Sequence, residues 1–310
     1  MKKYFLSLIA VLLFAILIIF ISDIPEMLDR STTLTGKVLA SVQSSYQRIE
    51  IVDIPNFGKS LLLDGEHQLS EKDEAWYHEA LVHPAMAMHS NPKNILIIGG
   101  GDGGAIKEFL KHKEVENVEL VELDKKVIEI SKKYFPWSEP AFSNPRVHVT
   151  IGEGRKFLET TEKKFDIIIV DLPDPRTSQV ALLYTEEFYK TAAAALSSDG
   201  IIVVQAGSPF FTKDAFVSIY KTMSTQFSKV YPYTAWVPLF GQWGFMLACN
   251  SCAPENFREL NIPELKIYNA DLHKAIFALP TILNNSLSDP NIKTNTDDQL
   301  ILPIYMSREK

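Results

Sequence analysis

Only two cysteines occur among 310 residues, Cys249 and Cys252. They form a single C-x-x-C after an apolar strand, which is too few ligands for a zinc site and lacks the βαβ surroundings of a redox motif. A chance pair outweighs a redox pair here, although an oxidising compartment would join the two thiols. Net positive charge is missing as well: 31 Lys and Arg stand against 38 Asp and Glu, a balance of −7. That argues against a nucleic-acid partner and suits cationic partners where the acids gather in a cleft. There are no long low-complexity tracts and no internal repeats. The length fits one large domain or two modest ones.

Charge is also absent from Tyr4 to Ile21, 18 residues that follow Lys2 and Lys3 and approach the lower limit for spanning a bilayer. A signal peptide has a shorter apolar region with a small-residue cleavage site directly after it. Ile21-Ser22-Asp23-Ile24-Pro25 offers no such site, and Val38-Leu39-Ala40 lies too far on. The expectation is therefore one uncleaved anchor over residues 1–22, single-pass in the cell membrane, with a cleaved signal peptide as the alternative. Asp23, Glu26 and Asp29 after the span would place the body outside the cytoplasm by the positive-inside rule. Two lysines are a thin basis for that rule, and the side stays open.

What is present is organised around Asn94 to Asp102. The β-branched run Ile95-Leu96-Ile97-Ile98 stops at Gly99-Gly100-Gly101-Asp102-Gly103-Gly104, and a helical pattern continues to about His112. This predicts a buried strand, a glycine turn and a helix. The spacing satisfies G-x-G-x-x-G, a weak signal alone. Asp102 sharpens it. A pyrophosphate would use the helix dipole here, and a carboxylate in the loop would repel it. The turn suits a nucleoside without phosphates that carries positive charge nearby.

Residues 34–70 read as a small N-terminal β domain, with strands at Val38–Val42, Arg48–Ile54 and Leu61–Leu63. Residues 71–310 follow as the catalytic domain. Its first helix, Glu71–His89, carries His78-Glu79 and His83, five residues apart and off one shared face, so the zinc motif H-E-x-x-H is rejected and no metal is expected. His78 is either a binding residue or a satisfied polar residue of the helix. Strands at Val118–Leu123, Arg146–Ile151, Phe165–Val170 and Gly200–Gln205 alternate with helices at Val127–Tyr134 and Thr185–Leu196. That predicts an α/β doubly wound parallel sheet. Lys229–Val237 and Trp243–Cys249 read as a closing antiparallel pair, which favours a methyltransferase-like, Rossmann-type sheet over the dehydrogenase type.

Ligands in such sheets lie beyond the carboxyl ends of the strands. Asp102, Glu122, Glu153, Asp171 and Asp174 all fall at such ends. Glu122 lies about 20 residues after the glycines, where a carboxylate accepts ribose hydroxyls. Any one of the five alone is equally a helix cap or a solvated acid; together they make a strongly negative crevice. An adenosyl sulfonium donor is cationic and has no phosphate. A polyamine acceptor is cationic too, and only its neutral amine attacks carbon. With an amine pKa of about 10, the site must remove a proton. A carboxylate after the fourth strand suits that task, and a second acid three residues on anchors the chain's other charge.

These residues resemble the polyamine aminopropyltransferases (spermidine synthases) over roughly Ser44 to Ala248. The stretches are Ser45-Tyr46-Gln47-Arg48-Ile49, Leu62-Leu63-Asp64-Gly65, Asp73-Glu74, Tyr77-His78-Glu79, the glycine run from Gly99, Val121-Glu122-Leu123-Asp124, Tyr134-Phe135-Pro136, Asp171 with Asp174-Pro175, Ser208-Pro209 and Trp243-Gly244-Phe245. The resemblance implies that Gln47, Gly99, Gly101, Glu122 and the Glu153-Gly154 pair hold the thioadenosine part. It implies that His78, Asp102 and Asp174 contact the amines, and that Asp171 accepts the proton with Tyr77 beside it. The donor would be decarboxylated S-adenosylmethionine as co-substrate, with no permanently bound cofactor. The acceptor would be a diamine or polyamine, putrescine giving spermidine plus methylthioadenosine, and the assembly a homodimer or homotetramer. Three departures stand out. Glu153-Gly154 replaces the usual Asp-Gly. Arg176-Thr177-Ser178-Gln179 replaces the usual Gly-Pro after Pro175. Asp171–Pro175 with Val237–Trp243 look closest to a membrane-associated branch. Two rivals remain: a small-amine methyltransferase using ordinary S-adenosylmethionine, and a membrane-tethered polyamine-binding protein without turnover.

Overall fold

The computed structural model describes residues 36–307. The expected anchor over 1–22, with its span at 4–21, lies outside them. Among the described residues no helix is long and apolar enough to cross a membrane. The described chain opens with an antiparallel meander: β1 (Lys37–Gln43), β2 (Arg48–Ile54), β3 (Gly58–Leu63) and β4 (Glu66–Ser70). Strand β4 is absent from the sequence expectation because Glu-His-Gln-Leu-Ser has little strand propensity. It forms because β3 offers it a backbone ladder, with Ser60 opposite Ser70 and Leu61 opposite Leu69.

Helix α1 (Glu74–Met88) then leads into alternating elements: β5 (Asn94–Gly99), α2 (Gly104–Leu110), β6 (Asn117–Glu122), α3 (Lys125–Tyr134), α4 (Ser138–Phe142), β7 (Val147–Ile151), α5 (Gly154–Thr160) and β8 (Phe165–Asp171). After them come α6 (Ser178–Ala181), α7 (Glu186–Ala195), β9 (Leu196–Gln205), α8 (Lys213–Met223), β10 (Lys229–Val237) and β11 (Gly241–Cys249). Three short helices close the described chain: α9 (Ala270–Ile276), α10 (Thr281–Ser286) and α11 (Leu302–Ser307).

The main sheet runs β7-β6-β5-β8-β9-β11-β10. Its first five strands are parallel, and β11 enters antiparallel between β9 and β10. This is the order expected of a methyltransferase-type sheet. Side chains alternate across it, so that Leu96, Ile168 and Val204 fill the layer on one face while Ile97, Ile169 and Val203 fill the other. With helices covering both faces, the central strands are apolar along their whole length. The meander docks separately: Ile49, Ile51, Leu61 and Leu69 pack on Val127 of α3 and on Phe135 directly after it.

The pairing left open in the sequence is found just after β11, where Cys249 and Cys252 are joined by a disulfide across the turn.

Candidate active site

The site lies over β5 and β8, neighbours at the centre of the sheet, where the chain direction divides to the two flanks. Gly99 ends β5 at φ +83°, and a side chain there would strike the carbonyl of Asp171. Only glycine fits both constraints. The Gly100 amide donates to that same carbonyl at 2.9 Å, which locks the glycine turn to the end of β8. A side chain at Gly101 would begin 2.8 Å from Glu122 Oε2, so glycine here leaves the Glu122 carboxylate its room.

Tyr77 and His78 come from the first turn of α1. The Tyr77 hydroxyl donates to Asp171 Oδ1 at 2.8 Å. His78 is buried between two acids, Nε2 lying 3.3 Å from Asp102 Oδ1 and Nδ1 3.4 Å from Glu74 Oε2. Asp102 also accepts the Gly104 amide at 2.7 Å, and its carbonyl receives the Trp137 indole N–H at 3.2 Å. His78, Asp102 and Asp171 place ligand-type atoms within 4.8 Å of one another. His78 is thus partnered on both ring nitrogens and lies beside Asp171, a placement that fits both of the readings left open for it. His83 turns away into a separate buried cluster with His112 and Glu108, at 3.0 and 2.9 Å. Glu79 instead accepts the backbone amides of Lys266, Ile267 and Tyr268.

The electrostatics divide the acids into two kinds. Burial opposes charge on both His78 and Asp102, but each outweighs it for the other. His78 is held well above the ordinary histidine value, and Asp102 below the ordinary carboxylate value. Asp171 is compensated only in part. Burial, then the charge of Asp102, pushes its carboxyl up to about 6, with His78 and Tyr77 opposing. Its Oδ2 is buried without a hydrogen-bond partner among the described residues. Burial also raises Asp174, opposed chiefly by Arg176, and Asp174 Oδ1 is likewise unpartnered. Glu122 is driven up to about 7 by burial, against the Asp124 amide it accepts at 2.8 Å.

Two of the expected site residues are otherwise engaged. Glu153 spends both carboxylate oxygens on the N-terminus of α5, accepting from the amides of Arg155 at 2.8 Å and Lys156 at 2.7 Å. That is helix capping, beside the expected contact to the thioadenosine part, and Gly154 is the first residue of the capped helix. Gln47 donates to Asp124 Oδ2 at 3.3 Å beside Ser44, whose hydroxyl donates to the same oxygen at 2.6 Å. The pair ties the meander to the turn that carries Glu122. Sequence reasoning gave no site role to Glu74, four residues before His78 on the same helix face, and passed over Gln205. The Gln205 amide holds the carbonyl of Leu172 at 2.9 Å and its oxygen accepts the Gly207 amide at 2.9 Å. Its position at the end of β9 was the available signal.

Comparison with known proteins agrees with this geometry. Residues 74–259 match the family described as "Spermine/spermidine synthase domain", and residues 32–71 match "Spermidine synthase tetramerisation domain". A polyamine aminopropyltransferase of Methanocaldococcus jannaschii is 41% identical over 81% of this chain and 88% of its own. Another from Sulfurisphaera tokodaii is 39% identical over 86% of this chain and 92% of its own. A solved spermidine synthase in complex with the transition state analogue AdoDATO superposes with a TM-score of 0.79 at 37% identity, covering 82% of this chain and 89% of its own. The spermidine synthase of Thermotoga maritima gives a TM-score of 0.78 at the same identity and coverage. The chain belongs to the spermine/spermidine synthase family, and it is a transferase of the polyamine aminopropyltransferase kind.

Proposed function

We propose that this chain transfers the aminopropyl group of decarboxylated S-adenosylmethionine to putrescine, releasing spermidine and methylthioadenosine. The observation that carries this reading is Asp171. Its carboxyl sits near 6, one oxygen holds the Tyr77 hydroxyl, and the other is buried and unpartnered. A carboxylate in that state accepts a proton from an incoming ammonium and holds the freed amine in line with its target. The amine nitrogen bonds to the aminopropyl carbon attached to sulfur, the C–S bond breaks toward sulfur, and the cationic sulfonium becomes a neutral thioether. The proton goes to Asp171. Asp102 and His78 fix the near side of the amine site, and Asp174 receives the distal ammonium. Glu122 takes the ribose hydroxyls, with Gly99 and Gly101 leaving space for the nucleoside.

Ordinary S-adenosylmethionine would set its α-carboxylate among these acids, which disfavours methyl transfer. The test is to incubate purified protein with each donor plus putrescine and to separate the products by mass. Methylthioadenosine formed only with the decarboxylated donor is the expected result. Methylated amine would replace the reading with a methyltransferase, and tight spermidine binding without product would replace it with a polyamine-binding protein.

The family match over residues 32–71 supports an oligomer, and we assign a homodimer or homotetramer. The uncharged run from Tyr4 to Ile21 supports a single membrane anchor. Protease accessibility on intact cells tests the anchor and its orientation together.

A further inference from the structure

On the aminopropyl-transfer reading Asp174 marks the far end of the acceptor path, and the residue beside it lies in one of the sequence departures. Arg176, which stands in the stretch replacing Gly-Pro, places its guanidinium 3.3 Å from Asp174 Oδ2 and 3.4 Å from the carbonyl of Met306 in α11. Its own amide donates to the Asp174 carbonyl at 2.7 Å, so the turn holds the side chain over the acid. Asp174 Oδ1 faces the space over Gly207, 3.3 Å from where a side chain at that glycine would begin, and the Met306 methyl lies 3.5 Å from the same point. Helix α11 lies beyond the family match, which ends at 259.

Asp174 therefore has one oxygen on the Arg176 guanidinium and one enclosed oxygen, near the Gln205 side chain, without a hydrogen-bond partner among the described residues. A single ammonium at Oδ1 completes the carboxylate. A chain that continues past Asp174 with another ammonium meets the guanidinium of Arg176 and the wall made by Met306. Like charges brought together in a partly enclosed space are a means of rejecting a ligand rather than of binding one.

We propose that Arg176 is a specificity-determining residue that restricts the acceptor to short diamines by repelling the additional ammonium of a triamine. The inference rests on the aminopropyl-transfer reading above, and deepens it by naming the acceptor class. Its test measures kcat/KM for 1,4-diaminobutane, 1,5-diaminopentane and spermidine in the wild-type protein and in Arg176→Ala, Arg176→Gln and Arg176→Lys. Binding of the same three amines is measured by calorimetry in the presence of methylthioadenosine. The wild type should prefer the diamines. Arg176→Ala and Arg176→Gln should each raise the triamine-to-diamine ratio by about fivefold or more, the scale of a partly solvated charge pair, and Arg176→Lys should restore the preference.

An unchanged ratio in Ala and Gln overturns the proposal. So does a Lys variant that behaves like Ala, since charge would then not be the discriminator. If no amine is turned over by the wild type, the transfer reading fails, while the calorimetric ratio still decides the role of Arg176. Should Arg176→Ala fold poorly, Arg176→Gln keeps the aliphatic stem and gives the same reading.

Discussion

Tyr77 gives its phenolic proton to one oxygen of Asp171 across 2.8 Å, and the other oxygen is buried with no partner among the described residues. The first contact orients the carboxylate; on the proposed function the second oxygen is the one that meets the incoming N–H. Removing the phenol should change how Asp171 titrates before it changes what binds. The hydrogen bond favours the charged carboxylate, so Tyr77→Phe should lift the Asp171 carboxyl above its present value of about 6. Turnover requires the deprotonated acid and therefore rises with pH through that value. In the variant the acidic limb of kcat/KM should move upward by roughly half to one pH unit, the worth of one such bond. A limb that stays in place would show that another group sets it.

Asp171→Asn separates chemistry from stability. Turnover should fall at least about a hundredfold, the usual scale for a general base, with nucleoside affinity nearly intact. Stability should move the other way. The native carboxyl titrates near 6 against an ordinary value of 3.8, so the folded state holds the extra proton between those values. The destabilising cost of the buried charge is absent below about pH 4 and complete above about pH 6. Denaturant unfolding should therefore find Asp171→Asn more stable than wild type by about 1–3 kcal/mol at pH 8, with little difference at pH 4. Equal stability at both would mean that the carboxylate is solvated.

His78 stands between Asp102 and Glu74, and all three are largely enclosed. His78→Leu removes the cation and leaves Asp102 buried opposite nothing. Losing one partner of a buried pair costs about 3–5 kcal/mol, and urea unfolding at pH 7 measures it. A loss below about 1 kcal/mol would show that water or a rearranged loop takes the imidazole's place.

Glu153 decides between capping and recognition. With both oxygens on α5 amides, Glu153→Ala should lower stability by about 0.5–2 kcal/mol and leave methylthioadenosine affinity almost unchanged. A tenfold loss of affinity at constant stability would show that Glu153 holds the thioadenosine part.

The elements most visible in the sequence were those whose signals are local. The apolar run of β5 and its glycine turn, the acids at the ends of β6 and β8, and the closing pair β10 and β11 each carry their pattern within about ten residues. Helix α8 has an apolar face at Phe216, Ile219 and Met223, yet the strand-by-strand reading passes over it because it bears no site residue. The segment after Cys252 resists reading for a different reason. Its contacts reach distant parts of the chain: the Asn295 amide donates to the carbonyls of Ala181 and Tyr184, and Glu79 accepts three amides near Ile267. Contacts across more than a hundred residues leave no periodic trace. The same is true of Arg176, whose partner in α11 is invisible until the chain is folded.

Three enclosed acids, Asp171, Asp174 and Glu122, all sit above their ordinary carboxylate values with burial as the leading cause. A fold that keeps such groups under its surface is at its weakest while idle, and strengthens when a diamine brings positive charge to them and a nucleoside supplies hydroxyls to hydrogen-bond them. The working enzyme is thus held together in part by its own reactants. Heating it with and without methylthioadenosine and putrescine would register that as a higher melting temperature in their presence. In a cell, the standing amount of such a protein would follow the supply of the small molecules it consumes.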